Sequence, residues 1–111
     1  MAADVPTGYS VYVREDQDLQ TAGADTINDV ADGSVTSGSE EYGGRSSDTS
    51  LSSTTFDTAD TAFTTTFQQV ASRTGATLKA RDFLTLKAAI ATDTINGAYS
   101  QTLTVVFVGN Y

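Results

Sequence analysis

Three aspartates spaced four and three residues apart are the first candidates for chemistry in this sequence. They are Asp25, Asp29 and Asp32, within the stretch DTINDVADGS. Hard cations such as Ca²⁺ bind several oxygen ligands that converge on one point. The spacing differs from that of an EF-hand loop, and no Gly-Gly-x-Gly-x-Asp repeat is present. The stretch therefore predicts either a calcium site or a solvated acidic loop. The upstream carboxylates that can add oxygens are Glu15, Asp16 and Asp18.

Catalysis is disfavoured by the residue types that the chain lacks. It contains no His and no Cys, the commonest general base and the thiol nucleophile. Its Ser and Thr residues are not part of a Gly-x-Ser-x-Gly motif. Its carboxylates concentrate in expected loops rather than on apolar strands, where burial raises a pKa. We therefore predict that the protein is not an enzyme, and that it needs no cofactor unless calcium binds.

The charge distribution bears on partners. The formal net charge is −8, and nucleic-acid binding needs clustered Lys and Arg, so no nucleic-acid partner is expected. Residues 1–60 hold twelve of the fourteen acids, whereas residues 61–111 hold four of the six bases. This split predicts either head-to-tail contacts between copies of the chain or a solvated acidic surface that aids solubility.

The size of the chain sets the domain count. Its 111 residues are enough for one domain with a modest core. Without Cys it forms no disulfide, and no apolar stretch reaches the ~18–20 residues of a membrane span. The start, MAADVPTGYS, lacks the basic and apolar regions of a signal peptide. Either the chain is not exported by that route, or the numbering begins on a mature chain.

Alternating apolar residues predict strands at both ends of the chain. In the first strand, within residues 1–14, Tyr9, Val11 and Val13 share a face. Residues 33–55 are rich in Gly, Ser and Thr, which predicts a long loop, a flexible hairpin or weak edge strands that order on assembly. Residues 105–108 are apolar on both faces, which predicts a central strand or one covered on both sides.

Two middle segments are also predicted as strands. In TAFTTTFQQVAS the residues at period two are Phe63, Thr65, Phe67 and Gln69. The dense β-branched Thr disfavours the helical alternative. The segment FLTLKAAIA, residues 83–91, also alternates, and a turn is expected near Gly75. Short strands without a long amphipathic helix predict an all-β fold, a single immunoglobulin-like β-sandwich over residues 1–111 with a long Gly/Ser-rich loop.

The closing segment, FLTLKAAIATDTINGAYSQTLTVVF, carries a resemblance to known proteins. Its Gly-x-Tyr-x-x-Thr pattern is followed by alternating apolar residues and Thr. The matching residues are Gly97, Tyr99, Thr102, Leu103, Thr104 and Val105. It is similar to the end of spore coat protein U-type and chaperone–usher pilus subunits, which implies an extracellular β-sandwich. Gly97 after Asn96 is expected to adopt positive φ, and Tyr99 to form a tyrosine corner.

These observations predict a non-enzymatic structural subunit of an extracellular, pilus-like filament that polymerises head to tail. Donation of a terminal strand is one route, with residues 1–14 as the donor, and a closed sandwich is the alternative. The residues expected at the assembly contact are Tyr9, Val11, Val13, Leu103, Val105 and Phe107. Two other functions stay open: a small virion protein such as a head decoration or tail component, favoured by the Met-Ala-Ala start, and a monomeric surface module that binds carbohydrate or another ligand.

Overall fold

The structure, a computed structural model, describes residues 2–5, 8–74 and 77–109. Seven strands and no helix are found in these ranges. The strands are β1 (Ala2–Val5), β2 (Gly8–Glu15), β3 (Glu41–Ser46), β4 (Gln68–Thr74), β5 (Thr77–Arg81), β6 (Leu84–Ala89) and β7 (Leu103–Gly109). The all-β prediction is therefore confirmed for the described part of the chain.

The strands pair antiparallel in three groups. One sheet has the order β4-β2-β7, a second pairs β3 with β6, and a ribbon pairs β1 with β5. The pairs Gly8↔Thr74 and Val5↔Thr77 keep the same register, so the ribbon lies in line with β2 and β4. The long axis of the molecule is 49 Å.

The core lies between the β4-β2-β7 sheet and the β3-β6 sheet, as in a β-sandwich. The buried apolar residues at its centre come from strands and loops alike; they are Tyr9, Val11, Val13, Ile27, Tyr42, Leu51, Phe56, Phe63, Val70 and Ala71. Phe63 joins two other rings, with centroids 5.5 Å from Phe56 and 5.7 Å from Tyr42. Strand β2 supplies the predicted face of Tyr9, Val11 and Val13, and all three are buried.

The polar stretch 33–55 contains a strand and is not one long loop. Strand β3 forms inside it, and Gly44 lets this strand approach the core closely. A Cβ at Gly44 would lie 2.5 Å from Cζ of Phe63, so a larger residue would displace that ring. Glycine at position 44 therefore serves packing, which composition alone did not indicate.

The strand predicted around Phe63 begins later than its pattern indicates. Phe63 is buried while Phe67 is half exposed, so the two rings do not share a buried face. The Thr64 hydroxyl donates to the Thr66 carbonyl at 3.0 Å, and the Thr64 N–H donates to Oε1 of Gln68 at 3.2 Å. These local hydrogen bonds form a turn that replaces strand pairing, and β4 starts only at Gln68.

The segment predicted as a strand at 83–91 is observed as β6, and the turn expected near Gly75 lies outside the described residues. Tyr99 behaves as the sequence predicts: its hydroxyl donates to the Ile95 carbonyl at 2.5 Å, and its ring packs against the core. Gly97 does not adopt positive φ, contrary to the prediction. A Cβ there would lie 2.7 Å from Cγ2 of Thr21, so close contact is the reason for glycine.

Candidate functional site

Strands β6 and β7 are edge strands of their two sheets, and an apolar groove lies between them. The groove has a volume of about 350 Å³. All of its lining residues are apolar; they are Phe83, Leu84, Leu86, Leu103 and Val105. We call it the β6–β7 groove. It opens the interior of the sandwich along one side.

Three of the exposed side chains at or beside this groove, Leu86, Val105 and Phe107, belong to the inner faces of the sheets. Val105 and Phe107 pair with Val13 and Val11 of β2, so they share the core face of that sheet. Even so, Val105 is 52% exposed and Phe107 46% exposed. On the second sheet, Leu86 is 52% exposed. In the described chain no further strand covers these side chains, which explains why core-facing residues meet solvent.

The expectation that the terminal strand is central or covered on both sides is therefore wrong. Among the described strands, β7 pairs with β2 alone, and its outer face also carries exposed apolar side chains, Val106 and Val108. The Tyr9 ring stacks on Phe107 with centroids 5.1 Å apart, which holds one end of β7 to the core. The alternation of the sequence gave the strand and its faces, but it did not give its place in the sheet.

The backbone at both edges has unpaired groups. Gly44 of β3 exchanges both of its backbone hydrogen bonds with Thr61, at 2.9 Å each, on the side away from β6. In an antiparallel pair such a residue faces a partner whose own N–H and C=O also point away. That partner is Leu86, so its backbone groups point to the open side. The groove thus offers both apolar area and backbone hydrogen-bonding groups.

The six residues predicted for assembly divide into two sets. Tyr9, Val11 and Val13 lie in the middle strand of the chain's own sheet. Leu103 packs partly against the core, and only Val105 and Phe107 of the six are largely exposed. The sequence did not single out Phe83 and Leu86, although the alternation in residues 83–91 was the signal that would have included Leu86.

A second candidate site is a group of three carboxylates. One oxygen each from Glu15, Asp18 and Asp29 lies within 4.8 Å of the others, a spacing that oxygen ligands of a hard cation adopt. Of the predicted ligands, Asp29 belongs to this group, whereas Asp25 and Asp32 do not. Asp25 accepts a hydrogen bond from the Thr21 hydroxyl at 3.5 Å, and Asp32 one from Ser34 N–H at 3.1 Å. Calcium binding stays a prediction, which calorimetry with CaCl₂ tests.

Glu15, like Asp18, was predicted only as an upstream carboxylate that can add an oxygen to the group. It is 3% exposed because it continues the alternation of Val11 and Val13 on the inner face of β2. Its Oε2 accepts a hydrogen bond from Nε2 of Gln101 at 2.8 Å. Burial raises the pKa of Glu15; the hydrogen bond from Gln101 opposes this, and the negative charge of Asp29 adds to it. A carboxylate on an apolar strand was therefore missed, although the period-two pattern includes it.

Two residues near these carboxylates, Tyr42 and Asp29, also have raised pKa values. The Tyr42 hydroxyl donates to Oε1 of Gln101 at 2.6 Å, which links β3 to the start of β7. Burial, together with the charges of Glu15 and Asp29, raises the pKa of Tyr42 to about 12. Burial and the charge of Asp18 raise the pKa of Asp29. The geometry can hold a proton or a cation, and it anchors the segment that leads into β7.

Two other buried carboxylates have structural partners. Asp82, 1% exposed, accepts a hydrogen bond from the Tyr9 hydroxyl and an ion pair from Arg73 at 3.1 Å. Asp60 pairs with Lys87 at 2.8 Å. Burial alone would raise the pKa of Asp60, but the hydrogen bond from Lys87 and others outweigh it and hold the pKa below its usual value. Both carboxylates hold separate elements of the fold together.

No protein-family model, curated protein or solved structure matches this chain. Within residues 2–5, 8–74 and 77–109, no helix is long and apolar enough to cross a membrane.

Proposed function

We propose that this chain is a non-enzymatic structural subunit of an extracellular, pilus-like filament, and that its copies join through the β6–β7 groove and the β7 edge. The observation that carries the proposal is the exposure of core-facing apolar side chains beside two unpaired strand edges. Globular proteins normally blunt such edges with charged residues, proline or a covering loop. Strand β7 carries no charged residue and no proline, and such an edge pairs readily with another strand, a property that a self-assembling subunit uses. Strand β6 carries one charged residue, Lys87, which pairs with Asp60 within the subunit.

The apolar area is large enough to matter for association. The four half-exposed side chains on the open side are Phe83, Leu86, Val105 and Phe107. Burying a Val, Leu or Phe completely contributes roughly 1.5–3 kcal/mol, so covering half of each adds about 3–6 kcal/mol in total. Backbone hydrogen bonds to a neighbouring strand add specificity. A contact between copies therefore has a defined driving force.

The charge split contributes less to the proposed joint than the sequence indicated. Arg73 pairs with Asp82, and Lys87 pairs with Asp60, both within one subunit. These two bases are then unavailable as free charges for a neighbouring copy's acidic half. The proposed joint therefore rests mainly on the apolar edge. Polymerisation is proposed to run head to tail, with donation of the first strand as one route. Donating β2 would expose Tyr9 and Val11, so the donor would have to be replaced by the same strand of another copy.

The fold we propose for the subunit is immunoglobulin-like. The tyrosine-corner hydrogen bond of Tyr99 and the facing antiparallel sheets support this assignment. Sandwich domains of this kind commonly serve as adhesion and assembly modules, which supports a location at the cell surface. The absence of His and Cys supports a role without catalysis.

Light scattering after size-exclusion chromatography, followed by negative-stain imaging, tests the proposal. The wild-type chain should form filaments as its concentration rises. Val105→Lys places a charge on the inner face of the edge and should leave a monomer. Thr104→Lys is the matched control, because Thr104 lies on the same strand but on the outer face, and it should assemble like the wild type.

Each remaining outcome has a defined meaning. A wild-type chain that stays monomeric at every concentration contradicts the proposal and favours a monomeric ligand-binding module. Closed rings or shells in the images would point to the virion alternative. Assembly of Val105→Lys at the wild-type level would show that the joint lies elsewhere on the molecule.

A further inference from the structure

Along β7, the backbone N–H and C=O groups of successive residues point alternately toward β2 and away from it. The hydrogen bonds at the start of the strand show which residues point toward β2. Asp16 N–H donates to the Thr102 carbonyl at 3.1 Å, so these two residues face each other with their hydrogen-bonding groups. In an antiparallel ladder every second pair is of this kind. The next pairs of the kind are Arg14↔Thr104, Tyr12↔Val106 and Ser10↔Val108. The residues between them direct N–H and C=O away from β2, toward the open edge; they are Leu103, Val105, Phe107 and Gly109.

These outward residues are arranged symmetrically about the middle of the strand. Strand β7 runs from Leu103 to Gly109, and its central residue is Val106. When a second copy of β7 lies antiparallel and is centred on Val106, Val105 falls opposite Phe107 of the second copy, and Leu103 opposite Gly109. Every outward residue then meets another outward residue. The edge is therefore complementary to itself in this register.

We propose that two copies of the chain join by antiparallel pairing of β7 with β7, about a two-fold axis at Val106. This inference rests on the proposed function and names the partner and register of its joint. The result is a continuous six-stranded sheet with the order β4-β2-β7-β7-β2-β4. Four outward residues on each strand provide the N–H and C=O groups that hold the two copies together.

The side chains in this register agree with the exposure of β7 on both faces. On the inner face, Val105 of one copy lies beside Phe107 of the other, and each covers the other's exposed half. On the outer face, Val106 meets Val106 of the second copy across the axis. The pattern that is unexplained in one subunit, apolar residues on both faces of an edge strand, becomes that of a central strand in the pair.

The charge distribution also favours the β7 edge as the contact between copies. A subunit with net charge −8 repels its copies, so a self-contact is favoured where charge is absent. Residues 94–109 include no Asp, Glu, Lys or Arg. This uncharged segment contains the whole of β7 and the loop that leads into it. Another protein with a basic surface would instead be attracted to the acidic half of the chain, away from this edge.

A joint of this symmetry closes on itself, because the same surface is used on both sides. A filament then needs a second contact, and the described chain offers the open edge of β6 for it. The unit that polymerises is accordingly a pair of copies. Head-to-tail order would apply to the whole filament only if the β7 joint were not two-fold.

Disulfide trapping tests the register, since the chain has no Cys of its own. Val106→Cys places two thiols at the axis, in a pair whose Cα atoms are about 4.5 Å apart, within the range a disulfide spans. Mild oxidation should convert most of this variant to a covalent dimer on a non-reducing gel. Thr104→Cys is the matched control, because its two thiols would lie four residues apart along the joint, about 13 Å. It should stay monomeric on the gel.

The outcomes separate this inference from the proposed function. If the wild-type chain assembles but Val106→Cys crosslinks no faster than Thr104→Cys, the register is wrong and the structural role stands. Preferential crosslinking through Val105→Cys would overturn it in the same way, because the axis would then lie at a hydrogen-bonded pair. If the wild-type chain never associates, both proposals fail.

Discussion

The two edges of the β4-β2-β7 sheet differ in what their backbone groups contact. At the β4 edge, short polar side chains from the end of β3 and from the segment after it bind the strand. The Thr54 hydroxyl donates to the Gln69 carbonyl at 2.7 Å, and the Ser46 hydroxyl donates to the Val70 carbonyl at 2.5 Å. At the β7 edge, nothing in the described ranges hydrogen-bonds the outward groups of the strand. One edge is closed within the subunit, and the other is open.

The contrast explains the uneven composition of the chain. The Ser, Thr and Asp residues between β3 and residue 56 provide hydroxyls and carboxylates of the right reach to close an edge. The terminal strand has no such segment beside it and carries apolar side chains on both faces. The polar stretch, whose composition is typical of a loop, therefore covers the β4 edge, and the apolar stretch is the exposed one. Substitutions at the closed and the open edge test this comparison.

Opening the closed edge should cost the most. Asp48 accepts hydrogen bonds from Ser72 N–H at 2.6 Å and from Ser50 N–H at 2.7 Å, and it is buried. Asp48→Ala leaves both N–H groups without this partner, so the free energy of unfolding should fall by about 3 kcal/mol. Urea denaturation at low protein concentration measures it. Asp93→Ala, at an exposed carboxylate, should change stability by less than about 0.5 kcal/mol; equal losses in both variants would contradict the role of Asp48.

Removing the same two methyl groups from each edge strand gives the second test. Val70 of β4 is fully buried, whereas Val105 of β7 is half exposed. Val70→Ala should lower the free energy of unfolding by about 2 kcal/mol through lost burial and a cavity. Val105→Ala should lower that of the monomer by less than about 0.5 kcal/mol. A large loss for Val105→Ala in a monomeric sample would show that the β7 edge is covered within the subunit.

A single hydroxyl at the closed edge should have a smaller effect. Ser46→Ala removes the donor to the Val70 carbonyl and the acceptor for Asp48 N–H, which it meets at 3.1 Å. We expect a loss of about 1 kcal/mol in unfolding free energy, measured by thermal and urea denaturation. Ser52→Ala, at an exposed position of the same segment, is the control and should be neutral. Unchanged stability in Ser46→Ala would mean that water replaces the hydroxyl.

The smallest effect concerns pH at the start of the open strand. Because burial raises the pKa of Glu15 above its usual 4.5, the folded chain takes up a proton before the unfolded chain does. Stability should therefore rise as pH falls through the folded pKa toward 4.5, and the cost of the buried charge is present above that window. Glu15→Gln should remove this slope. Unfolding free energies of both chains at neutral pH and near about pH 5 give the comparison; identical slopes would contradict it.

A control operates at lower pH. The pKa of Asp60 is held below its usual 3.8, so its contribution to stability is present above that value and is lost as pH falls through the folded pKa. Asp60→Asn should flatten the acid limb and leave the Glu15 window unchanged. The two variants thus separate Glu15, whose pKa is raised, from Asp60, whose pKa is lowered.

Much of the fold could be predicted from local patterns. The alternation of Tyr9, Val11 and Val13 predicted β2 and its buried face, because period-two patterns reflect burial of one side. The pattern around Phe63 and Phe67 failed, since Thr hydroxyls there bind the nearby backbone instead of leaving it free to pair. That competition depends on which carbonyls lie within reach, and residue types alone do not specify it.

The candidate site was predicted in part for the same reason. Val105 and Phe107 were identified from their alternation, but whether their strand is central or at an edge depends on pairing across many residues. Asp29 was identified as a ligand candidate, while its partners were named only as upstream carboxylates: Glu15 lies at the end of β2, and Asp18 follows it. Proximity of this kind is set by the way loops fold over the sheet.

The register of β7 against β2 also determines how the subunit responds to force. Gly109 lies opposite Tyr9, so residues 8 and 109 leave the sheet side by side. Tension applied between those two points would break the backbone hydrogen bonds between β2 and β7 one pair at a time, beginning at Gly109. Tension that enters through the flank of β7 would instead load many hydrogen bonds together, in shear. In the proposed filament, a joint that holds β7 along its length would therefore resist more force than one that pulls on the ends of the strand.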